Sequence, residues 1–191
     1  MHPAYALNEA LPRRRGRLQL LLILFVVIGP MVLATAMYQW RFWVPDGRNY
    51  HGELLGNGQS RASLGVQGED SHWQLLVTAP QACAEDCRQL VYLARQINIG
   101  LGREADRGSH ALASAQPLDD EYASRLRREY PQLQRYPLDL ERYRQAQPDG
   151  GAAQLWIVDP HGNLVLRYGA EAKGKAILND LRLLLKISRI G

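Results

Sequence analysis

Two residues carry the chemistry this sequence most plainly offers. Cys83 and Cys87, in the stretch CAEDC, are the only cysteines of the chain. At the start of a helix, a C-x3-C spacing places two sulfurs one turn apart on the same face, with Cα atoms about 6 Å apart, a distance a disulfide tolerates. Two thiolates so placed can also hold one soft metal ion. The unpaired N–H groups and positive dipole end of a helix N-terminus favour the thiolate, the form that attacks and ligates. Three readings are open: exchange, metal binding, or a static bridge. A bridge closing so few residues adds little stability, so a redox or metal role is the expectation. Glu85 and Asp86 between the cysteines are read first as acidic residues complementing the helix dipole.

The elements around this pair follow from hydrophobic patterning. Leu75-Leu76-Val77 ends at Thr78-Ala79-Pro80, which predicts a buried strand over Trp73–Ala79 followed by a tight turn. Cys87, Leu90, Val91, Ala94, Ile97 and Leu101 then recur with a 3.6-residue period, so a helix lays its apolar face on a sheet. Ser109–Ala113 is a second short strand, and Leu118–Tyr130 a helix with an acidic start and an arginine-rich end, stopped by Pro131. Short strand and helix signals follow over Leu133–Leu140 and Leu138–Gln145. Ala153–Asp159 and Asn163–Tyr168 flank Pro160-His161-Gly162 as a hairpin, and Glu171–Ile187 is a final amphipathic helix. Upstream, Tyr50–Val66 suggests an N-terminal hairpin turning at Gly56-Asn57-Gly58. The order predicts an α/β fold, a mixed sheet flanked by helices on both sides.

Leu18–Tyr38 runs without a charge, long enough to cross a hydrocarbon core of about 30 Å. Arg13, Arg14, Arg15 and Arg17 precede it, which places residues 1–17 in the cytoplasm as a basic tail. Tyr38, Trp40, Phe42 and Trp43 form an interfacial belt, so residues 18–40 are read as a retained anchor rather than a cleaved signal. Residues 41–49, including VPDGRN, are the linker, and 50–191 the exported domain, in a compartment where disulfides persist. Net charge is +4, of which four arginines and one glutamate before residue 18 supply +3. The basic balance is therefore no sign of nucleic-acid binding, and no basic cluster beyond Arg17 is interleaved with stacking aromatics. No P-loop, zincin or nucleophile-elbow motif is present.

Strand, CAEDC, helix, then LWIVDPHGNLVLRY (Leu155–Tyr168) and a C-terminal helix resemble the thioredoxin-like fold of the Sco/SenC group, membrane-anchored copper chaperones of cytochrome c oxidase assembly. The resemblance spans roughly Leu18–Gly191. It implies a domain on the periplasmic side of the inner (cytoplasmic) membrane, and respiratory oxidase subunits or other assembly factors as partners. It also implies copper held by Cys83 and Cys87 with one downstream histidine. That histidine would fall at or near Gly151, but Pro148–Leu155 contains none, and Ala84 replaces the family's proline after the first cysteine. His161 is read as turn composition, His110 as a core or edge residue, and His72 as lying at the end opposite the cysteines; no role is read for His51 or His2. The function expected is thiol exchange or copper handling, with Cys83 attacking and Cys87 resolving; the alternative is a tethered scaffold with a structural disulfide.

Overall fold

The structure, a computed structural model, describes residues 13–40, 50–56, 58–68 and 70–188, with side chains of the first helix described over 16–37. The tail through residue 12 with His2, the linker 41–49 with Phe42 and Trp43, and Asn57 of the expected turn lie outside the described residues, as do the side chains of Arg13, Arg14, Arg15, Tyr38 and Trp40. The chain divides into two compact units, Met1–Arg48 and Asn49–Gly191.

The first unit carries helix α1 (Arg13–Trp40). Within it Gly16–Met37 has a mean hydropathy of 2.7, long and apolar enough to cross a membrane. Pro30 lies inside this helix, and Thr35 Oγ1 donates to the Met31 carbonyl at 2.8 Å.

In the second unit, strands β1 (Glu53–Leu54), β2 (Trp73–Ala79), β3 (Gly108–Ser114), β4 (Gln134–Pro137), β5 (Gln154–Val158) and β6 (Leu164–Tyr168) form one sheet in the order β1-β6-β5-β2-β3-β4. The pairs β2–β3 and β3–β4 are parallel; β2–β5, β5–β6 and β1–β6 are antiparallel. All seven residues of β2 are buried, as a central strand covered on both faces requires. On one face the apolar stripe of α2 (Glu85–Gly100) packs with α3 (Asp120–Glu129) and α5 (Gly174–Ile187) over Leu75, Val77, Leu112, Leu155 and Ile157. On the other, Tyr143 of α4 (Leu140–Ala146) joins Leu76, Ala111, Ala113, Trp156 and Val158. The alternation along β2, β3 and β5 divides these two cores residue by residue.

One expectation fails. Tyr50–Val66 is not a hairpin: β1 has two residues and pairs with β6, while Ser60 and Val66 form single bridges to Asn163 and Leu138. The buried apolar side chains of this stretch, Leu64 and Val66, join the α4-side core instead of alternating along a paired strand. Gly65 makes that path possible. Its φ is +77°, and an added Cβ would lie 2.7 Å from the Asp139 carbonyl oxygen, so only glycine fits without strain.

Candidate functional site

The cysteines meet at the carboxyl end of β2. Pro80 interrupts the chain after Ala79, and α2 begins only at Glu85, with Ala84 as its N-cap. Alanine offers no capping oxygen, and the cap makes no side-chain hydrogen bond. Cys83 therefore sits one residue ahead of the cap and is half-buried, whereas Cys87 lies within the first turn and is 2% exposed. The helix starts later than the simple one-turn reading of C-x3-C supposed, and only one of the two cysteines is on it. A disulfide joins the pair, with Cα atoms 5.1 Å apart. Cys83 is the more exposed residue and Cys87 is embedded in the core, the asymmetry that an attacking and a resolving thiol require.

Arg88 was not legible as part of this site. Its Nε donates to the Cys83 carbonyl at 3.2 Å, and its guanidinium lies 4.7 Å from the centre of the Tyr122 ring. Burial, with the neighbouring Tyr130, pushes the Tyr122 phenol up to about 12 against the pull of Arg88 and Arg125, so the ring stays neutral beneath the cation. The available signal was a cation directly after Cys87, in a helical turn where the dipole disfavours one.

Beside the disulfide a cleft of about 250 Å³ is lined by Pro80, Gln81, Ala84, Asp86, Cys87 and Gly151 among others. Gly151, the position at which the resemblance puts a histidine, thus does lie at the cysteines. A Cβ there would meet only Gln81 Nε2, at 3.8 Å. Among the described residues no group of three or more His, Cys, Asp or Glu could hold a metal ion. The local donor set comprises two sulfurs and does not complete a three-donor copper centre.

The histidines go elsewhere. His161 is in the hairpin turn, its amide bonded to Asp159 Oδ1, and His72 pairs with Asp70 at the far end of β2. His110, opposite Leu75 in the β2–β3 ladder, is 3% exposed, and its Nε2 has no hydrogen-bond partner among the described residues. Burial and then the Arg95 charge lower its pKa below 6.5. The unfolded chain binds this proton more readily, so the stabilising contribution is present above pH 6.5 and is lost as pH falls through the folded value. His110→Leu should therefore shrink the drop in urea midpoint between pH 7.5 and pH 5 relative to wild type; an unchanged drop would show that His110 does not set it.

A second unforeseen cluster lies at the cysteine end of the sheet, where Tyr168 pairs with Leu155 and Leu155 with Val77. Asp180 of α5, 1% exposed, accepts from His51 N at 2.7 Å, Gly52 N at 3.1 Å, His51 Nδ1 at 2.8 Å and Tyr168 OH at 2.7 Å. It ties the start of the domain to its last helix. Burial and then Asp180 raise the Tyr168 pKa, which keeps the hydroxyl a donor.

A mixed sheet whose central strand leads into a cysteine pair at a helix start defines a thioredoxin-like protein, here bearing an apolar helix of membrane-spanning length. The chain belongs to the family described as transmembrane-like, thioredoxin-like, C-terminal domain, which matches residues 73–188; residues 12–41 match its transmembrane-like N-terminal domain. Among solved structures it is similar to copper-bound ScoI of Arabidopsis thaliana, with 11% identity, TM-score 0.46, and coverage of 59% of this chain and 86% of that one. It is similar to copper-bound yeast Sco1 at 12% identity, TM-score 0.47, covering 61% and 80%, respectively. A thiol:disulfide interchange protein from Bacteroides sp. is similar at 12% identity, TM-score 0.45, covering 72% and 91%. No curated protein matches the chain.

Proposed function

We propose that this is a membrane-anchored thiol–disulfide exchange protein of the Sco-like type, acting through Cys83 and Cys87 on the extracytoplasmic side. The observation that carries the reading is the asymmetric pair at an uncapped helix start: a half-buried Cys83 before the helix and a core-embedded Cys87 within it. In the reducing direction the Cys83 thiolate attacks a partner disulfide, forming a mixed disulfide and releasing one partner thiolate. The Cys87 thiolate then attacks the Cys83 sulfur, closing the intramolecular bridge and releasing the second. The partner gains two electrons and, from solvent, two protons; the pair is oxidised to the same extent. Respiratory oxidase subunits or other assembly factors are the partners that the sequence resemblance suggests.

The test is timed alkylation of the reduced full chain in detergent, read by peptide mass spectrometry across pH. Cys83 should be modified first, with its midpoint below the ordinary thiol value of about 8.5. Equal rates, or Cys87 first, would refute the assignment.

Copper handling is the second reading, favoured by the position of Gly151 on the cleft beside Cys87. The reduced pair would supply two sulfur donors, and a partner the third. Gly151→His should therefore tighten cuprous binding by at least about tenfold in a competing-chelator titration, as completing a soft donor set does. No tightening would place Gly151 outside the reach of a metal at the sulfurs.

A further inference from the structure

The end of the sheet remote from the cysteines holds a cleft of about 800 Å³, lined among the described residues by Arg61, Gly68, Asp70 and Ser71 on one side and the Pro160-His161-Gly162 turn on the other. Seven residues of β2 separate it from Pro80, about 20 Å of extended chain. Arg61, on its wall, is 6% exposed. Nη1 donates to Gln74 Oε1 at 2.9 Å, Nη2 donates to the Gly68 carbonyl, and the guanidinium lies 5.8 Å from the Tyr136 ring centre. All of these partners are neutral. Among the described residues no carboxylate lies within ion-pair distance of Arg61. Asp70 lines the same cleft, but its oxygens already accept from Ser109 Oγ, Gln74 Nε2 and His72 N, and it also pairs with His72 Nδ1. Gln74 thus stands between cation and carboxylate, receiving from one and donating to the other.

A buried guanidinium served only by neutral acceptors is costly unless a negative charge joins it, and its planar fork suits two oxygens of one anion. The backbone frame is fixed: Arg61 N donates to the Gly162 carbonyl at 2.7 Å, and Ser60 bridges to Asn163. We propose that this cleft binds a small oxyanion, the carboxylate or phosphate group of a small molecule, with Arg61 as the charged ligand.

The test is isothermal titration of the full chain in neutral detergent with sodium phosphate and, separately, with sodium acetate, at constant ionic strength. At least one should bind saturably at one equivalent, and the arm that does so identifies the group. Ser71→Glu, an exposed position on the cleft, leaves the core untouched and should weaken that binding by about tenfold through like-charge repulsion. Arg61→Lys should weaken it as well, since a point charge lacks the fork. No saturable binding of either anion up to about 50 mM, a range that covers millimolar sites, would overturn the proposal. So would undiminished binding by Ser71→Glu at wild-type melting temperature.

Discussion

Cys83→Ser should abolish exchange with a model disulfide, a loss of at least about a hundredfold because the one remaining thiol, Cys87, is only 2% exposed. Cys87→Ser should instead accumulate a mixed disulfide through Cys83, because the resolving sulfur is gone. The asymmetry follows from placement: Cys83 lies ahead of the Ala84 cap and half-buried, while Cys87 is closed into the core with Leu90 and Val91. The check is non-reducing electrophoresis and intact mass of each variant after incubation with a thiol–disulfide buffer. Adduct on the Cys87→Ser variant alone is the expected pattern. Adduct confined to Cys83→Ser would reverse the roles, and none on either would point to the scaffold reading.

Asp180→Ala should have the largest effect on stability, about 3 kcal/mol, because it strips four donors of one shared acceptor and leaves the buried Tyr168 hydroxyl unsatisfied. Tyr168→Phe removes one of these bonds without stranding a partner that has no other, and should cost about 1 kcal/mol. Urea unfolding followed by tryptophan fluorescence, on the full chain in detergent, separates the two. If Asp180→Ala cost no more than Tyr168→Phe, the carboxylate would not be the clasp between the start of the domain and α5.

Periodicity identified most of the fold because most of its elements bury a regular face. The α2 stripe from Cys87 to Leu101, the all-buried β2, and the hairpin of β5 and β6 were all readable from residue types and spacing. The 50–66 stretch was not, because its residues pair as a two-residue ladder with β6 and as single bridges to Asn163 and Leu138, and such contacts leave no local period. At the site, the cysteines were evident from their uniqueness, whereas Gly151 drew notice only through the family resemblance, as the position where a histidine would fall. Arg88 and His51 were not evident. Each acts through a long-range or backbone contact that spacing does not encode. Asp180 did leave a trace, since it interrupts the apolar stripe of α5 three residues after Ile177 and one before Leu181, where only a satisfied polar group can be buried. Arg61 and Gln74 became meaningful only once the sheet brought them together.

The central claim, that Cys83–Cys87 is an exchangeable disulfide, is tested most directly by its equilibrium reduction potential. The full chain in detergent would be equilibrated anaerobically with graded glutathione and dithiothreitol buffers, and the two redox forms quantified by thiol-specific mass tagging. A half-reduced point between about −120 and −270 mV, the span of exchange proteins, is the result expected. A value below about −300 mV would mark a structural bridge that the glutathione pool cannot open, and would contradict it.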